Sequence, residues 1–515
     1  MASSSDSIVS RTTEGWLELF LTPHEKQTFS QWEEQIKDRS ITHAISKPVM
    51  MWLSLWIPDT VAPNVVTLAG FLALGHAWYM TSSYGELFPV AMTWFAVVNI
   101  CLFFTTNSME PFHADRTRQR SALGDLFKYS CDSLASVFLV ILTTYCLGGT
   151  SPKWQWYAVQ ASQLVLFIKH LSAFDRHAGL RYNVLTGPGE VLMTAVTLLV
   201  VRALFGLDWM LSVYEGSIHK LFPLWLQDKY YRDPASLGLE AIKLLYYCMY
   251  TAAVVKSLLL KQPHGWSRFG ITSSLLMRLV PAILLHLGVS FEITILDVIC
   301  DGFFMSVLTA DLTLAKMAGR EIHPWVVLMS LASVLSHSTI LTLVLTYYIA
   351  VFADLCSHLN MPLLTTCRNV YCDGVYDLCH IGHKTLFQNA LSFGNRLYVG
   401  VVGDQDASAY KRPPIMSHAE RCAEVAACKA VTKVIPNAPC FGLTQAFLDR
   451  HQIHVVAFGE EYLERWPDPK DDIYYGYVRS IGVARPMPRT KGLSTSDLIR
   501  RIQNSAPADE KKSQT

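Results

Sequence analysis

From residue 62 to residue 357 the chain is a succession of long apolar runs, and that feature limits its fold more than any other. Crossing the hydrocarbon of a bilayer as a helix takes roughly 20 mostly apolar residues. The runs Ala62–Met80, Leu87–Thr106, Leu134–Leu147, Trp156–Lys169, Val191–Phe205, Leu237–Leu260, Ile271–Leu287 and Ile293–Leu314 approach or reach that length. Trp325–Leu355 has room for one long or two short spans and is broken by Ser336-His337. The expectation is a polytopic α-helical membrane domain of about eight to ten spans. A soluble helical core would carry more charge on one face of each helix, whereas 51% of the residues are hydrophobic, 17% are charged and the mean hydropathy is +0.25.

A formal net charge of +1 and the lack of a basic stripe exclude an ordinary nucleic-acid binder, so no nucleic-acid partner is expected. The twelve cysteines show neither a paired framework nor zinc-type spacing, and Cys101, Cys146 and Cys248 sit inside apolar runs, which points to reduced thiols. The polar start, Met-Ala-Ser-Ser-Ser-Asp, lacks the basic and early apolar stretches of a secretory signal. The connector Thr81–Glu86 has no Lys or Arg, while the one after the second run holds Arg116, Arg118, Arg120 and Lys128. Basic connectors stay on the cytosolic side, so the N-terminus and that second connector are expected there.

After Met361-Pro362 short β-branched runs alternate with helical stretches. Arg368–Cys372, Arg396–Val402, Val431–Ile435 and His454–Phe458 read as strands, with helices over His383–Phe393, Ser417–Lys429 and Thr444–His451. Alternation of this kind gives a parallel sheet covered on both faces, an α/β Rossmann-like domain. The expected division is a cytosolic segment over 1–60, the multi-span domain over 61–360, the α/β domain over 366–505 and a polar tail over 506–515.

Within that domain the strand Val370-Tyr371-Cys372 runs into Asp373-Gly374-Val375-Tyr376-Asp377-Leu378-Cys379, and His380-Ile381-Gly382-His383 opens a helix. Ligands of open α/β sheets gather at the carboxyl ends of strands, and a helix start offers N–H groups and a positive dipole end to phosphate. Two imidazoles one turn apart add donors, and Gly374 and Gly382 allow phosphate close to the backbone.

This stretch resembles the cytidylyltransferases that make CDP-choline and CDP-ethanolamine, whose patterns are D-G-x-[FY]-D-x-x-H-x-G-H and, later, R-T-x-G-x-S-[ST]-[ST]-D. The second is met by Arg489-Thr490-Lys491-Gly492-Leu493-Ser494-Thr495-Ser496-Asp497. Val399-Gly400-Val401-Val402-Gly403-Asp404, Lys411 before Pro413-Pro414, Glu420-Arg421 and Asn437-Ala438-Pro439 match the pattern between them. The resemblance implies attack by a phosphoalcohol on the α-phosphorus of CTP, with release of pyrophosphate and with Mg2+ accompanying CTP. It implies contacts from His380 and His383 to the triphosphate, Lys411 between the two phosphate groups, and a clamp of Arg489, Thr490, Gly492, Ser494 and Thr495. Asp373 would orient its neighbours, Asp404 would join Gly374 and Gly382 in the CTP site, and Arg421 would serve the substrate phosphate. The phosphoalcohol is phosphoethanolamine or phosphocholine. Glu460, Glu461, Tyr462 and Trp466 supply carboxylate and aromatic faces for its headgroup, while Cys440, where choline-specific members tend to carry Trp, favours ethanolamine. Tyr462–Tyr477 matches neither branch and reads equally well as a surface loop rich in Asp and Tyr.

Ala62-Pro63-Asn64-Val65-Val66-Thr67-Leu68-Ala69-Gly70-Phe71 resembles the opening of the first span in CDP-alcohol phosphotransferases, and Gly124, Cys131-Asp132-Ser133, His177-Ala178-Gly179-Leu180 and Gly187-Pro188-Gly189-Glu190 extend the likeness. That family's four metal-binding carboxylates fall on Asn107, Glu110, Lys128 and Asp132, its Gly on Pro111 and its Arg on Asp115. Hard cations need several anionic oxygens, so metals are not expected at this site and an ion pair of Lys128 with Glu110 or Asp132 is. The expected whole is a membrane-anchored cytidylyltransferase of the endoplasmic reticulum, its soluble domain in the cytosol. Expected partners are CTP, phosphoethanolamine or phosphocholine and membrane lipid, with a homodimer left open. The alternatives are a bifunctional enzyme that also transfers the phosphoalcohol to diacylglycerol, and a lipid-sensing membrane module that regulates the cytidylyltransferase.

Overall fold

A computed structural model describes residues 19–33, 37–174, 179–184, 187–213, 234–259, 266–287, 293–333, 336–410, 413–488 and 494–505. The chain divides into two compact units, one of residues 1–115 and 120–365, the other of residues 116–119 and 366–515.

The first unit is helical. After α1 (Pro23–Ser30) and α2 (Ile41–Ser54) come α3 (Pro63–Tyr84), α4 (Pro89–Arg116), α5 (Ala122–Cys146), α6 (Pro152–Ser172), α7 (Pro188–Phe205), α8 (Pro234–Leu259), α9 (Trp266–His286), α10 (Ile295–Ala318), α11 (Pro324–Ala332) and α12 (His337–Leu359). The two-residue strands β1 (Lys37–Asp38) and β2 (Arg181–Tyr182) pair in parallel. Among the described residues seven helices are long and apolar enough to cross a membrane by length and composition, fewer than the eight to ten anticipated. The shortfall lies at α3 and α6, which are long but carry Thr, Ser, Gln and His among their apolar residues. The run Trp325–Leu355 becomes two helices, and Ser336 at the polar break caps the second by accepting from Thr339 N–H.

Helix α10 is the centre of this unit: 94% of its apolar window is buried, against 17–56% in the other six. It starts at a Thr294/Asp297 capping box and ends at Gly319 in the left-handed region, where a Cβ would be strained. An apolar bundle accepts carboxylates only with partners, and α10 has them. Asp301 meets the Arg278 guanidinium at 2.8 Å and the Trp156 indole N–H at 2.7 Å. Asp311 meets Arg320 at 2.6 Å, Tyr347 OH at 3.1 Å and the His323 N–H at 2.9 Å.

The second unit is a five-stranded parallel sheet of order β5-β4-β3-β6-β7, built from β3 (Asn369–Gly374), β4 (Arg396–Val402), β5 (Lys433–Ala438), β6 (Val455–Gly459) and β7 (Ala484–Met487). Its helices are α13 (Ile381–Leu391), α14 (Asp404–Tyr410), α15 (His418–Ala426), α16 (Gln445–Arg450), α17 (Glu461–Arg465), α18 (Gly476–Ser480) and α19 (Thr495–Ser505). Strand side chains alternate strictly between two cores. Val370, Cys372, Leu397, Val399, Val401, Val455 and Ala457 pack with Phe387 and Val425 on one face; Tyr371, Tyr398, Val456 and Phe458 pack with Leu448 and Val478 on the other. Burial on both faces is why these strands read as continuous apolar runs. Strand β7 escaped the sequence reading because it is short and holds Pro486, and Pro is tolerated in a sheet at an edge, which is where β7 lies. The chain steps outward from β3 through β4 to β5 and then returns to β6 on β3's other side. Their carboxyl ends therefore form the switch point where such sheets bind ligands.

Candidate active site

Strand β3 carries Asp373 and Gly374 to that switch point. The next five residues turn sharply, with Tyr376 and Leu378 at φ 53° and 54°. The Tyr376 ring folds back over Gly374, where a Cβ would sit 3.0 Å from it. Asp377 holds the turn: its carboxylate accepts the Ile415 N–H at 3.1 Å and the Met416 N–H at 3.0 Å.

The turn delivers His380 as the N-cap of α13. Its Nδ1 accepts the Gly382 N–H at 3.1 Å, a bond that puts the neutral ring's proton on Nε2. That Nε2 is buried with no protein hydrogen-bond partner among the described residues. Burial lowers the His380 pKa, favouring the neutral ring. The His383 ring stacks on it, centroids 4.0 Å apart at 23°, and meets Tyr376 edge-on at 5.3 Å. The Gly382 N–H is thus bonded to His380.

The start of α19 adjoins this turn. Thr495 Oγ1 donates to the Asp377 carbonyl at 3.2 Å, across 118 positions of sequence. Ser494 caps α19, its hydroxyl accepting the Asp497 N–H at 3.1 Å and donating to the Asp497 carboxylate at 2.7 Å. Lys411, Arg489, Thr490 and Gly492 lie outside the described residues.

Asp404 and Arg421 pair with each other. The Arg421 side chain is fully buried, and its guanidinium meets Asp404 at 2.5 Å and the Val375 carbonyl at 2.6 Å. Asp404 also accepts the His418 N–H at 3.2 Å, and the Arg421 hydrogen bond holds its carboxyl below the usual range. This placement supports a positioning role for both, tying α15 to the loops after β3 and β4.

Asp373 shows the opposite perturbation. Burial pushes its pKa up to about 6, against the pull of the Tyr475 hydroxyl at 2.9 Å. Tyr475 belongs to a cluster of which the sequence reading named Tyr462 and Trp466 but not Phe458, Tyr474 or Tyr475 itself. Tyr462 stacks on Trp466 at 5.7 Å and meets Tyr475 and Tyr474 edge-on at 4.9 and 5.4 Å, while Phe458 stacks on Tyr475 at 5.0 Å. The stretch Tyr462–Tyr477 is a largely exposed loop between α17 and α18 that is anchored by buried side chains. Asp472 and Tyr475 are buried, and Arg479 pairs with Asp472 at 2.8 Å. The alternation of apolar Tyr and Trp with Asp was the available signal, masked by the high content of charged residues. Cys440 is buried beside Val402 and Ala407, with Tyr474 packed against them. Glu460 is exposed at the start of α17.

In the first unit the four aligned positions do meet. Lys128 Nζ donates to Glu110 at 2.9 Å and to the Asn107 carbonyl at 3.0 Å, and the Asn107 amide donates to Asp132. Among the described residues of either unit no three His, Cys, Asp or Glu side chains are placed to hold a metal.

Residues 371–501 match the cytidylyltransferase-like family model. The same region is 40% identical over 135 residues to choline-phosphate cytidylyltransferase 2 of Arabidopsis thaliana, covering 26% of this chain and 44% of that protein. It is 36% identical over 133 residues to ethanolamine-phosphate cytidylyltransferase of Mus musculus, covering 26% and 32%. It is 38% identical over 135 residues to choline-phosphate cytidylyltransferase A of Homo sapiens, covering 26% and 36%. The chain thus spans less than half the length of these relatives. With the parallel sheet, the His380/His383 helix start and these matches together, the second unit is a cytidylyltransferase-like nucleotidyltransferase domain homologous to choline- and ethanolamine-phosphate cytidylyltransferases.

Proposed function

We propose that this domain transfers the cytidylyl group of CTP to a small phosphoalcohol, phosphoethanolamine in preference to phosphocholine, releasing pyrophosphate. The observation that carries the reading is the Thr495–Asp377 hydrogen bond, which joins the α19 start to the turn that presents His380 and His383. Phosphoryl transfer of this kind asks for positioned donors more than for a nucleophile. The substrate's phosphate oxygen attacks the α-phosphorus, and the pyrophosphate oxygen leaves with the bond electrons. His380 Nε2 offers a preorganised donor to that developing charge; left unsatisfied it costs about 1–3 kcal/mol of desolvation, which a phosphate oxygen relieves. Lys411, Arg489 and Thr490 are assigned the remaining phosphate contacts on their motif positions. Mg2+ is proposed to enter with the triphosphate, whose charge it would partly neutralise.

The preference for ethanolamine draws support from the headgroup side. A quaternary ammonium needs free aromatic faces, whereas the faces of Tyr462 and Trp466 lie against each other and position 440 holds a buried Cys. Purified full-length protein should release pyrophosphate from CTP with phosphoethanolamine faster than with phosphocholine. No release with either would end the assignment, and faster release with phosphocholine would reverse the preference.

The first unit is proposed to span and anchor the protein in the endoplasmic reticulum membrane with the transferase domain in the cytosol, and to lack phosphoalcohol transfer to diacylglycerol. The Lys128 ammonium between Glu110 and the Asn107 carbonyl supports that inactivity, because it puts positive charge where the CDP-alcohol phosphotransferases that the sequence resembles gather carboxylates. Phospholipid formed by the purified protein from CDP-ethanolamine and diacylglycerol would refute it.

A further inference from the structure

Two thiols that the proposed transfer does not use touch each other one residue from its centre. The Sγ atoms of Cys379 and Cys428 lie 4.0 Å apart, and both are free thiols. Cys379 is buried in the core beneath α13 and immediately precedes His380, the N-cap of that helix. Cys428 sits just past the end of α15, packs against the same core and remains partly exposed. Its Sγ also reaches the Glu424 carbonyl at 3.3 Å. Two buried small hydrophobes would pack this way too, but a disulfide needs an S–S distance of about 2.05 Å, so the sulfurs have only about 2 Å to close.

We propose that Cys379 and Cys428 form a reversible disulfide by exchange with low-molecular-weight disulfides, and that the bond switches off transfer by displacing His380. Cys428, reachable from solvent, attacks one sulfur of the external disulfide as thiolate, forming a mixed disulfide and expelling one thiolate. Cys379 then attacks the Cys428 sulfur and expels the second. Two protein thiols are oxidised to one disulfide, and the external disulfide is reduced to two thiols, which take up the two protons. Burial, reinforced by Cys428, pushes the Cys379 thiol up to about 12, which suits the order of attack. Drawing Cys379 toward α15 pulls on the backbone that sets the His380 cap and its stack on His383.

Bond formation stands on this geometry alone, whereas its effect on turnover rests on the proposed transfer. Full-length protein would be equilibrated across ratios of reduced to oxidised glutathione, alkylated, and divided between peptide mapping by mass spectrometry and pyrophosphate release from CTP. The expected result is a Cys379–Cys428 linked peptide whose rise tracks at least a tenfold loss of turnover, reversed by dithiothreitol, while Cys428→Ser stays active at every ratio. The wild-type mapping decides the matter should that variant fold poorly. Absence of the linked peptide at every ratio overturns the proposal, as does a linked protein with undiminished turnover. Inactivity of the fully reduced protein would count instead against the transfer reading, leaving the peptide map to judge the disulfide.

Discussion

Replacing Tyr475 by Phe removes one oxygen and leaves the ring to pack against Phe458 and Tyr462. That oxygen is the donor at 2.9 Å that holds down the pKa of the buried Asp373. A hydrogen bond to a charged group is worth about 1.5–3 kcal/mol, and about 1.36 kcal/mol moves a pKa by one unit. Asp373 should therefore rise by about 1–2 units, from about 6 to between about 7 and about 8. In the wild type the rise from 3.8 to about 6 means that the native state binds this proton more tightly than the unfolded chain. The associated stability is fully present below about pH 4 and is lost as pH rises through about 6, at a cost of about 3 kcal/mol by neutral pH. In the variant the decline still begins near pH 4, where the unfolded chain ionises, but runs on to between about 7 and about 8 and is about 1.4–2.7 kcal/mol deeper. The assay is the pH dependence of kcat/KM for CTP, with urea unfolding of the full-length protein over the same range. The acid limb of the rate profile should move up by about 1–2 pH units, and the fall in stability above about pH 4 should continue about 1–2 pH units further before it levels off. An acid limb and a stability curve that both coincide with the wild type would refute the coupling of Tyr475 to Asp373.

Three further outcomes are expected. His383→Ala and Lys411→Ala should each abolish pyrophosphate release while leaving the circular dichroism spectrum unchanged; retained release in both would remove the motif from the mechanism. Arg421→Met strips the Val375 carbonyl and Asp404 of their partner and should cost about 2–4 kcal/mol in urea unfolding, less than a fully buried pair because Asp404 is half exposed. A loss under about 0.5 kcal/mol, within the range of ordinary surface substitutions, would show that the pair does not hold α15. In the first unit, wild-type protein should bind no Mn2+ at Lys128 by electron paramagnetic resonance, and restoring Asp at positions 107, 110 and 128 together should create binding; Mn2+ bound to the wild type at those positions would contradict the ion-pair reading.

Much of the second unit was legible because its signals are local. The runs at Val370, Leu397 and Val455 alternate between two cores on consecutive residues, so burial is written in a few adjacent positions. The two motifs likewise mark helix starts, and a helix start creates its donors from its own first turn. Strand β7 and the buried anchors of the stretch Tyr462–Tyr477 were not legible. Pro486 hides an edge strand, and the Asp residues around Tyr475 resemble solvent-facing charge until Arg479 pairs with Asp472.

What the sequence alone determined is the apolar helical first unit, the parallel α/β second unit and the two motifs at helix starts, because composition and short periods decide burial and local hydrogen bonding. Only the tertiary structure decided that Arg421 turns inward to Asp404, that Thr495 bonds to the turn of Asp377, that Tyr475 reaches Asp373 and that Cys379 meets Cys428. Each of these joins residues far apart in the chain. Their meeting depends on strand order and loop path, which no spacing along the sequence encodes, and side chains commit their donors and charges only when that path is closed.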